Sequence, residues 1–207
     1  MRLLWTACLL GLIILIDLLY LVEIYMDIEF HLLETITNKF ADKVGSGGYG
    51  EVYKGLYNGK EIAVKRLHPL QGLDDKAFDS EFRNLSKVKH KNVVQLLGYC
   101  YQIVKKFVPY NGELVMAMEM ERILCFEYME GGSLDKHIGD ESCGLDWQSC
   151  YQIIKGTCDG LNHLHGAHEK PIFQSWDLKP SNILLGKNSK DGQNCRSWVV
   201  QLPQLKP

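Results

Sequence analysis

The sequence lacks the cysteine spacing of a disulfide scaffold or a metal site. Its seven cysteines are scattered and odd in number, and no Cys-x-x-Cys pair occurs among them. This pattern argues against a disulfide framework and a zinc site, and it is typical of thiols in a reducing compartment. The formal net charge is only −2, so bulk electrostatics give no indication of a nucleic-acid partner. The 207 residues suit one medium-sized domain with extensions.

Apolar residues dominate the segment 1–26, in which residues 3–22 are just long enough to span a bilayer. Asp17 interrupts this run, and a charge near the middle of a membrane helix costs about 2.5–3.5 kcal/mol. A signal anchor, a signal peptide without a clear cleavage site and an upstream extension of a protein starting at Met26 are the open interpretations. Arg2 precedes the run and acidic residues follow it, so the positive-inside rule would place the remaining chain outside the cytoplasm.

A glycine-rich turn lies between two predicted strands. It reads G-x-G-x-x-G from Gly45 to Gly50, and Asn58-Gly59 then gives the signal of a two-residue hairpin. Glycines at this spacing let the backbone approach phosphate oxygens, and Lys65 on the next strand can reach phosphate with its charge. The two faces of that strand would carry Ile62, Val64 and Arg66 on one side and Ala63, Lys65 and Leu67 on the other. The alternative is a glycine-rich surface hairpin with an exposed lysine.

The segment from Asp74 to Val88 is predicted to be a helix. Phe78, Glu81 and Leu85 fall on one face of it. A carboxylate among apolar residues is costly unless it is paired, so we expect Glu81 to form an ion pair with Lys65. The alternative places Glu81 at the edge of the apolar stripe.

Further elements are predicted around the glycine hairpin and the helix from Asp74 to Val88. Phe30 to Phe40 has the pattern of a short amphipathic helix, and Ile123 to Met129 that of a strand. Gln102 to Glu121 is interpreted as an extended hairpin with its methionines on one face. Asp146 is expected to cap a long helix that ends at His165. The residues of that helix expected to face the core are Ile153, Ile154, Leu161 and Leu164.

The run Asp177-Leu178-Lys179-Pro180-Ser181-Asn182 has the form D-x-K-x-x-N. Together with the glycine hairpin and the strand ending in Lys65, it resembles the protein kinase family. The segments Asn92 to Cys100 and Gly131 to Asp135 resemble plant receptor-like kinases in particular. The resemblance covers about Phe30 to Leu185 and implies ATP-dependent phosphorylation of serine or threonine on proteins.

The resemblance implies a role for each candidate residue. Asp177 would orient the substrate hydroxyl, Lys179 would neutralise the transferring phosphoryl group, Asn182 would bind Mg²⁺, and Glu81 would hold Lys65 against the phosphates of ATP. The implied nucleotide-binding set is Val44, Gly45, Ser46, Gly47, Gly48, Tyr49, Gly50, Val52, Ala63, Lys65, Phe126, Glu127, Met129 and Leu184.

The match to the family breaks at two places. Phe173 to Trp176 replaces the His-Arg that precedes the catalytic aspartate in most of the family, and residues 186–207 contain no Asp-Phe-Gly. The family's Asp-Phe-Gly aspartate binds Mg²⁺, so its absence favours the alternative of a catalytically inactive pseudokinase, a nucleotide-binding or scaffolding fragment that modulates a kinase partner. The abruptness of the break suggests a truncated gene model or an alternative transcript.

The resemblance therefore predicts an α+β, protein kinase-like fold. The expected parts are an apolar N-terminal segment (1–26), a lead-in helix (27–41), a β-rich N-lobe with hinge (42–131), a partial helical C-lobe with the catalytic loop (132–185) and a divergent tail (186–207), which its polar composition indicates is disordered. The expected location is a membrane, through residues 3–22, or the cytoplasm.

Overall fold

A computed structural model describes residues 26–48, 50–68, 75–138, 145–166, 178–186 and 197–199. Its main feature is a six-stranded sheet in the order β1-β5-β6-β4-β3-β2. Neighbouring strands are antiparallel except for β1 and β5, which run parallel. The strands are β1 (Met26–Asp27), β2 (Lys43–Gly47), β3 (Gly50–Tyr57), β4 (Lys60–Leu67), β5 (Leu96–Tyr110) and β6 (Glu113–Glu127).

Two Asn-Gly turns set the register of this sheet. Asn58-Gly59 joins β3 to β4 with φ values of 49° and 75°, and Asn111-Gly112 joins β5 to β6 with φ values of 50° and 84°. Positive φ at both central residues is the requirement of a type I′ turn, whose twist matches that of the flanking strands. The hairpin predicted at Asn58-Gly59 is confirmed, and so is the extended hairpin predicted for Gln102 to Glu121.

The two faces of β4 pack against different helices, and the residues on each face are those that the alternation predicts. Ile62 and Val64 join a core cluster with α1 (Phe30–Ile36). Ala63 and Leu67 pack on the opposite side, in a cluster with α2 (Asp75–Ser86). The sheet is thus covered by one helix on each face, and Lys65 points to the α2 side with Ala63 and Leu67 because strand side chains alternate.

The first helix is shorter than the sequence predicts. The expectation of a helix to Phe40 is wrong beyond Ile36, where the chain turns and Asn38, Lys39 and Phe40 take positive φ values. The Thr37 hydroxyl donates to the Leu33 carbonyl oxygen at 2.6 Å and accepts from the Phe40 N–H at 3.1 Å. This side chain therefore satisfies backbone groups that a continuing helix would have paired.

The β5–β6 hairpin extends beyond the sheet as a two-stranded ribbon. Arg66 and Ile123 form the last pair between β4 and β6, whereas β5 and β6 stay paired out to Tyr110 and Glu113. The methionines of β6 lie on one face of a strand, as predicted, because the strand places every second residue on the same side.

A charged cluster lies on the α1 side of the ribbon's base. The Glu121 carboxylate is 3% exposed and accepts from Arg66 Nε at 2.7 Å, from Arg66 Nη2 and from Lys106 Nζ at 2.5 Å. Lys106 also donates to Glu119 at 2.8 Å. The Arg66 guanidinium lies over the ring of Phe40 at 5.2 Å. The cluster thus connects the central strand β4, the ribbon and the segment after α1.

The remaining elements form the beginning of a second lobe. A small antiparallel sheet has the order β7-β8-β9 and is accompanied by the short helix α3, the long helix α4 and a 3₁₀ turn. These elements are β7 (Gly132–Ser133), α3 (Asp135–Ile138), α4 (Trp147–Gly166), the 3₁₀ turn (Pro180–Asn182), β8 (Ile183–Leu185) and β9 (Ser197–Val199).

Helix α4 begins as predicted but buries a different face. Asp146 Oδ1 accepts from the Ser149 N–H at 2.7 Å, which confirms the predicted cap. Ile153 and Leu164 are buried as expected, but Ile154 is 58% exposed, so its placement in the core is wrong. The buried stripe runs through positions 153, 156, 157, 160 and 164, and Ile154 lies about 100° away from its start.

Among the helices that the structure describes, none is both long and apolar enough to cross a membrane. The candidate membrane segment at residues 3–22 lies outside the described residues.

Candidate active site at the glycine hairpin

The glycine-rich segment folds as the turn between β2 and β3. Gly45 pairs with Val52, and Gly47 pairs with Gly50. A Cβ atom at Gly50 would lie 2.3 Å from the Arg66 carbonyl oxygen, so only glycine fits there. At Gly47 and Gly48 a Cβ would meet no described atom within 4 Å. Gly50, the third glycine, therefore allows the close approach of β3 to β4, while Gly47 and Gly48 leave open space at the tip of the turn.

Several residues of the predicted nucleotide-binding set share this turn. Val44 and Gly45 are half-buried, whereas Ser46, Gly47 and Gly48 are exposed at the tip. Tyr49 lies outside the described residues.

Lys65 lies in the middle of the sheet. Its neighbours are Val52 on β3 and Leu124 on β6, and it is only 9% exposed. This burial contradicts the alternative of an exposed surface lysine. Lysine is almost never buried without a partner. The backbone of Glu81 is part of α2, but its side chain lies outside the described residues, so the Lys65–Glu81 ion pair stays a prediction.

Apolar residues of the implied nucleotide-binding set meet in one cluster. Ala63 on β4 pairs with Phe126 on β6. Both belong to the α2-side cluster, which also contains Met129 and is contacted by Leu184 of β8. Residues from the sheet, from the segment after β6 and from the second lobe are thus brought together beside Lys65. Val52 is half-buried on β3, directly across from Lys65.

The segment after β6 is fixed by hydrogen bonds. The predicted strand Ile123 to Met129 ends earlier, at Glu127. The Glu127 N–H donates to the Gln95 carbonyl oxygen at 3.1 Å, and the Gln95 N–H donates to Glu127 Oε1 at 2.9 Å. Sequence reasoning missed Gln95, since no local pattern indicates a bond across 32 positions. The Glu127 side chain therefore holds the loop before β5.

A second contact joins this segment to the strand that carries Leu184. The Gly131 N–H donates to the Leu185 carbonyl oxygen at 2.9 Å, and a Cβ at Gly131 would lie 2.6 Å from that oxygen. Leu134 N–H donates to the Ile183 carbonyl oxygen at 2.8 Å. These bonds align β7 with β8 and so position Leu184, the residue of β8 that contacts the apolar cluster.

The D-x-K-x-x-N segment is described from residue 178 onward. Lys179 is exposed, and its carbonyl oxygen accepts from the Asn182 N–H at 2.9 Å to close the 3₁₀ turn. Asn182 is half-buried and lies two residues before Leu184. Asp177 lies outside the described residues. The turn therefore places Asn182 next to the apolar cluster that contacts Leu184.

Comparison with known proteins identifies the family. Residues 39–195 match the protein kinase domain. This chain belongs to the protein kinase family. The kinase domain is 40% identical over 166 residues to the receptor-like serine/threonine-protein kinase SD1-7 of Arabidopsis thaliana, with 78% of this chain and 18% of that protein covered. It is 37% identical over 166 residues to the cysteine-rich receptor-like protein kinase 4 of the same plant, with 78% and 22% covered.

A solved structure supports the fold. The apo form of a pseudokinase is similar to the kinase domain with a TM-score of 0.67 and 26% sequence identity, over 87% of this chain and 60% of that chain. The predicted α+β, protein kinase-like fold is confirmed, and so is the predicted resemblance to plant receptor-like serine/threonine kinases. The chain spans about a fifth of the length of the curated relatives it matches.

The described residues of the kinase domain show no cluster of metal-ligating side chains. No group of three or more histidine, cysteine, aspartate or glutamate side chains is placed to hold an ion in this part of the chain. Asn182 is the residue for which the resemblance implies a metal role. Its single amide oxygen is too few to hold Mg²⁺ without carboxylates or phosphates.

Proposed function

We propose that the chain binds ATP between the glycine hairpin and β8. The observation that carries the proposal is the single apolar cluster that joins Ala63, Phe126 and Leu184 next to the buried Lys65. An adenine ring fits between aliphatic side chains, and the open space at Gly47 and Gly48 suits the phosphates. Backbone groups of Glu127 and Met129 would bind the adenine edge.

We assign the reaction of the family to this site, the phosphorylation of serine or threonine on proteins. Lys65, held by Glu81, would contact the ATP phosphates, and Asp177 would orient the substrate hydroxyl. Lys179, two residues after Asp177, is the serine/threonine form of the motif and would neutralise the transferring group. The exposure of Lys179 is consistent with a contact to a protein substrate.

Mg²⁺ would bind together with the nucleotide. Asn182 would supply one oxygen and the phosphates of ATP the others, and the ion would offset phosphate charge. The described residues alone do not fit an ion held by the protein without the nucleotide.

A second candidate function is that of a pseudokinase, which binds nucleotide or a kinase partner without transferring phosphate. Two observations favour it: residues 186–207 contain no Asp-Phe-Gly, and a solved neighbour is a pseudokinase. Both candidates share the ATP pocket and differ in phosphoryl transfer.

Membrane association through residues 3–22 is also a proposal, based on the receptor-like type of the relatives. Fractionation of cells that express the chain, followed by alkaline carbonate extraction of their membranes, tests it. An integral segment keeps the chain in the membrane pellet after carbonate, whereas a cytoplasmic chain is found in the soluble fraction.

The test of the pocket is a thermal-shift titration of the full chain with ATP, with and without Mg²⁺. A ligand present at 100 times its Kd stabilises by about 2.7 kcal/mol, which is a shift of several degrees for a chain of this size. We expect Lys65→Ala to abolish the shift. Lys60→Ala, at an exposed position of the same strand, is the matched control and should keep it.

A radiolabel-transfer assay on a generic serine/threonine substrate then separates the two candidates. Transfer that is lost in Asp177→Asn supports the kinase, and ATP binding without transfer supports the pseudokinase. An unchanged ATP response in Lys65→Ala would contradict the pocket itself.

A further inference from the structure

The ribbon formed by β5 and β6 plays no part in the ATP site. From the pair Gln102–Glu121 to the pair Tyr110–Glu113 it contains nine paired positions without a third strand beside them in the described structure. Its length is about 30 Å at the usual rise of a strand. A two-stranded hairpin is marginally stable in water unless something packs on it. The ribbon therefore needs cover along one of its faces.

The two faces of the ribbon differ in chemistry. The register places Ile103 with Met120, Lys105 with Met118, Phe107 with Met116 and Pro109 with Leu114 on one side, which we call the methionine face. Lys105 is the only charged residue among these eight. The opposite face carries Lys106, Glu113, Glu119 and Glu121 among its residues. The methionine face is thus the apolar side, and it contains no acidic residue.

The methionine face continues a surface that is covered elsewhere. At its base, Phe78 of α2 stacks on Tyr101 at a centroid distance of 5.4 Å. Beyond that point the large apolar side chains of the methionine face are exposed to solvent. Their exposed fractions are 57% for Ile103, 71% for Phe107, 71% for Leu114, 57% for Met116 and 67% for Met118. Contiguous exposed apolar surface of this kind marks an interaction site.

We propose that the methionine face binds the methionine face of a second copy of this chain. At roughly 200 Å² for a fully exposed side chain of this size, the five exposed residues present about 600 Å². Two copies would bury about 1,200 Å², which reaches the lower limit of specific interfaces. Because one surface serves both partners, the contact closes as a two-fold dimer and leaves no bare face.

The position of Lys105 selects the antiparallel arrangement. If both ribbons pointed the same way, the two-fold axis would run along the strands, and the two Lys105 side chains would lie in the same row, diagonally across from each other. The four cross-strand pairs of the methionine face form four rows, counted from Ile103–Met120 at the base to Pro109–Leu114 at the tip. In the antiparallel arrangement a two-fold axis passes between the second row, with Lys105, and the third row, with Phe107. Lys105 of each copy then faces Phe107 of the other, where an ammonium over an aromatic ring is attractive. The same axis places the base row, with Ile103, against the tip row, with Leu114.

Sedimentation equilibrium of the full chain in density-matched mild detergent tests the proposal. We expect a monomer–dimer equilibrium in the unmodified chain. Met116→Glu should raise the dimer dissociation constant at least about a hundredfold, since symmetry buries two unpaired carboxylates. Val115→Glu adds the same charge at the neighbouring position on the opposite face and should change the constant by less than about threefold.

Lys105→Glu provides a second variant at an exposed position, where folding is not at risk. It replaces the cation over Phe107 with an anion and should weaken the dimer by about tenfold. Thermal unfolding of each variant confirms that it is folded. A monomeric chain at all concentrations would overturn the proposal and leave a different partner to cover the ribbon. Equal effects of Met116→Glu and Val115→Glu would overturn it as well.

Discussion

The buried carboxylate of Glu121 offers a quantitative test of how the sheet is held together. Glu121→Gln keeps the shape of the side chain but removes its charge. Breaking a fully buried ion pair costs about 3–5 kcal/mol. Here the side chains of Arg66 and Lys106 are 29% and 31% exposed, so water can partly replace the lost carboxylate. We therefore expect a loss of about 2 kcal/mol in the free energy of unfolding, or about 4–8 °C in Tm.

The pH dependence of this variant follows from the same cluster. Burial by itself would raise the pKa of Glu121, but the hydrogen bonds from Arg66 and Lys106 outweigh it and hold the pKa below its ordinary value of 4.5. The unfolded chain then binds the proton more readily than the folded chain. The stabilisation by Glu121 is complete above about pH 4.5 and is lost as the pH falls through the lower folded pKa. Glu121→Gln should lack this part of the acid-induced loss.

Urea unfolding of the full chain between pH 3 and pH 7 measures both effects. Glu119→Gln is the matched control, because Glu119 also contacts Lys106 but is 42% exposed. An exposed ion pair contributes about 0–1 kcal/mol, so this variant should unfold nearly like the unmodified chain. Equal stability losses in the two variants at pH 7, or the same acid limb in Glu121→Gln and the unmodified chain, would refute the reasoning.

Two further predictions concern packing and thiol reactivity. Gly160→Ala would place a Cβ 2.8 Å from the Asn92 carbonyl oxygen, so it should cost about 1–3 kcal/mol in urea unfolding. Gly47→Ala, which meets no described atom within 4 Å, should show no such loss. Burial raises the pKa of Cys100 and of Cys125 to about 12, whereas Cys158 is exposed. Iodoacetamide at pH 8 should therefore label Cys158 of the folded chain and spare the other two until urea is added, as mass spectrometry would show; rapid labelling of Cys125 in the folded chain would contradict this.

Local patterns predicted the parts of the fold that local physics determines. The Asn-Gly turns fix their hairpins because few other residues accept two consecutive positive φ values. The alternation along β4 predicts which of its side chains share a face, since a strand places successive residues on opposite sides, and the two core clusters agree with it. The glycine turn and Lys65 could be recognised because their spacing is also a local pattern in the sequence.

The features that the sequence did not reveal depend on partners far apart in the chain or on small angles. The bond between Arg66 and Glu121 spans 55 positions, and no pattern within either strand indicates it. The apolar side chain of Ile154 predicts a core position, but its rotation of about 100° from Ile153 along the helix leaves it exposed. The early end of α1 depends on one hydroxyl, that of Thr37, which bonds to the helix backbone.

The packing of the first helix also determines where an autonomously folding unit can begin. The recognised kinase domain starts at residue 39, yet Ile28, Phe30 and Leu33 are at most 4% exposed and belong to the core on that side of the sheet. β1 pairs with β5 beside Gly98, where a Cβ would lie 2.6 Å from the Met26 carbonyl oxygen. A chain cut at the family boundary would leave an apolar sheet face bare and prone to aggregation. Recombinant expression of this domain therefore needs its N-terminal boundary at or before Met26.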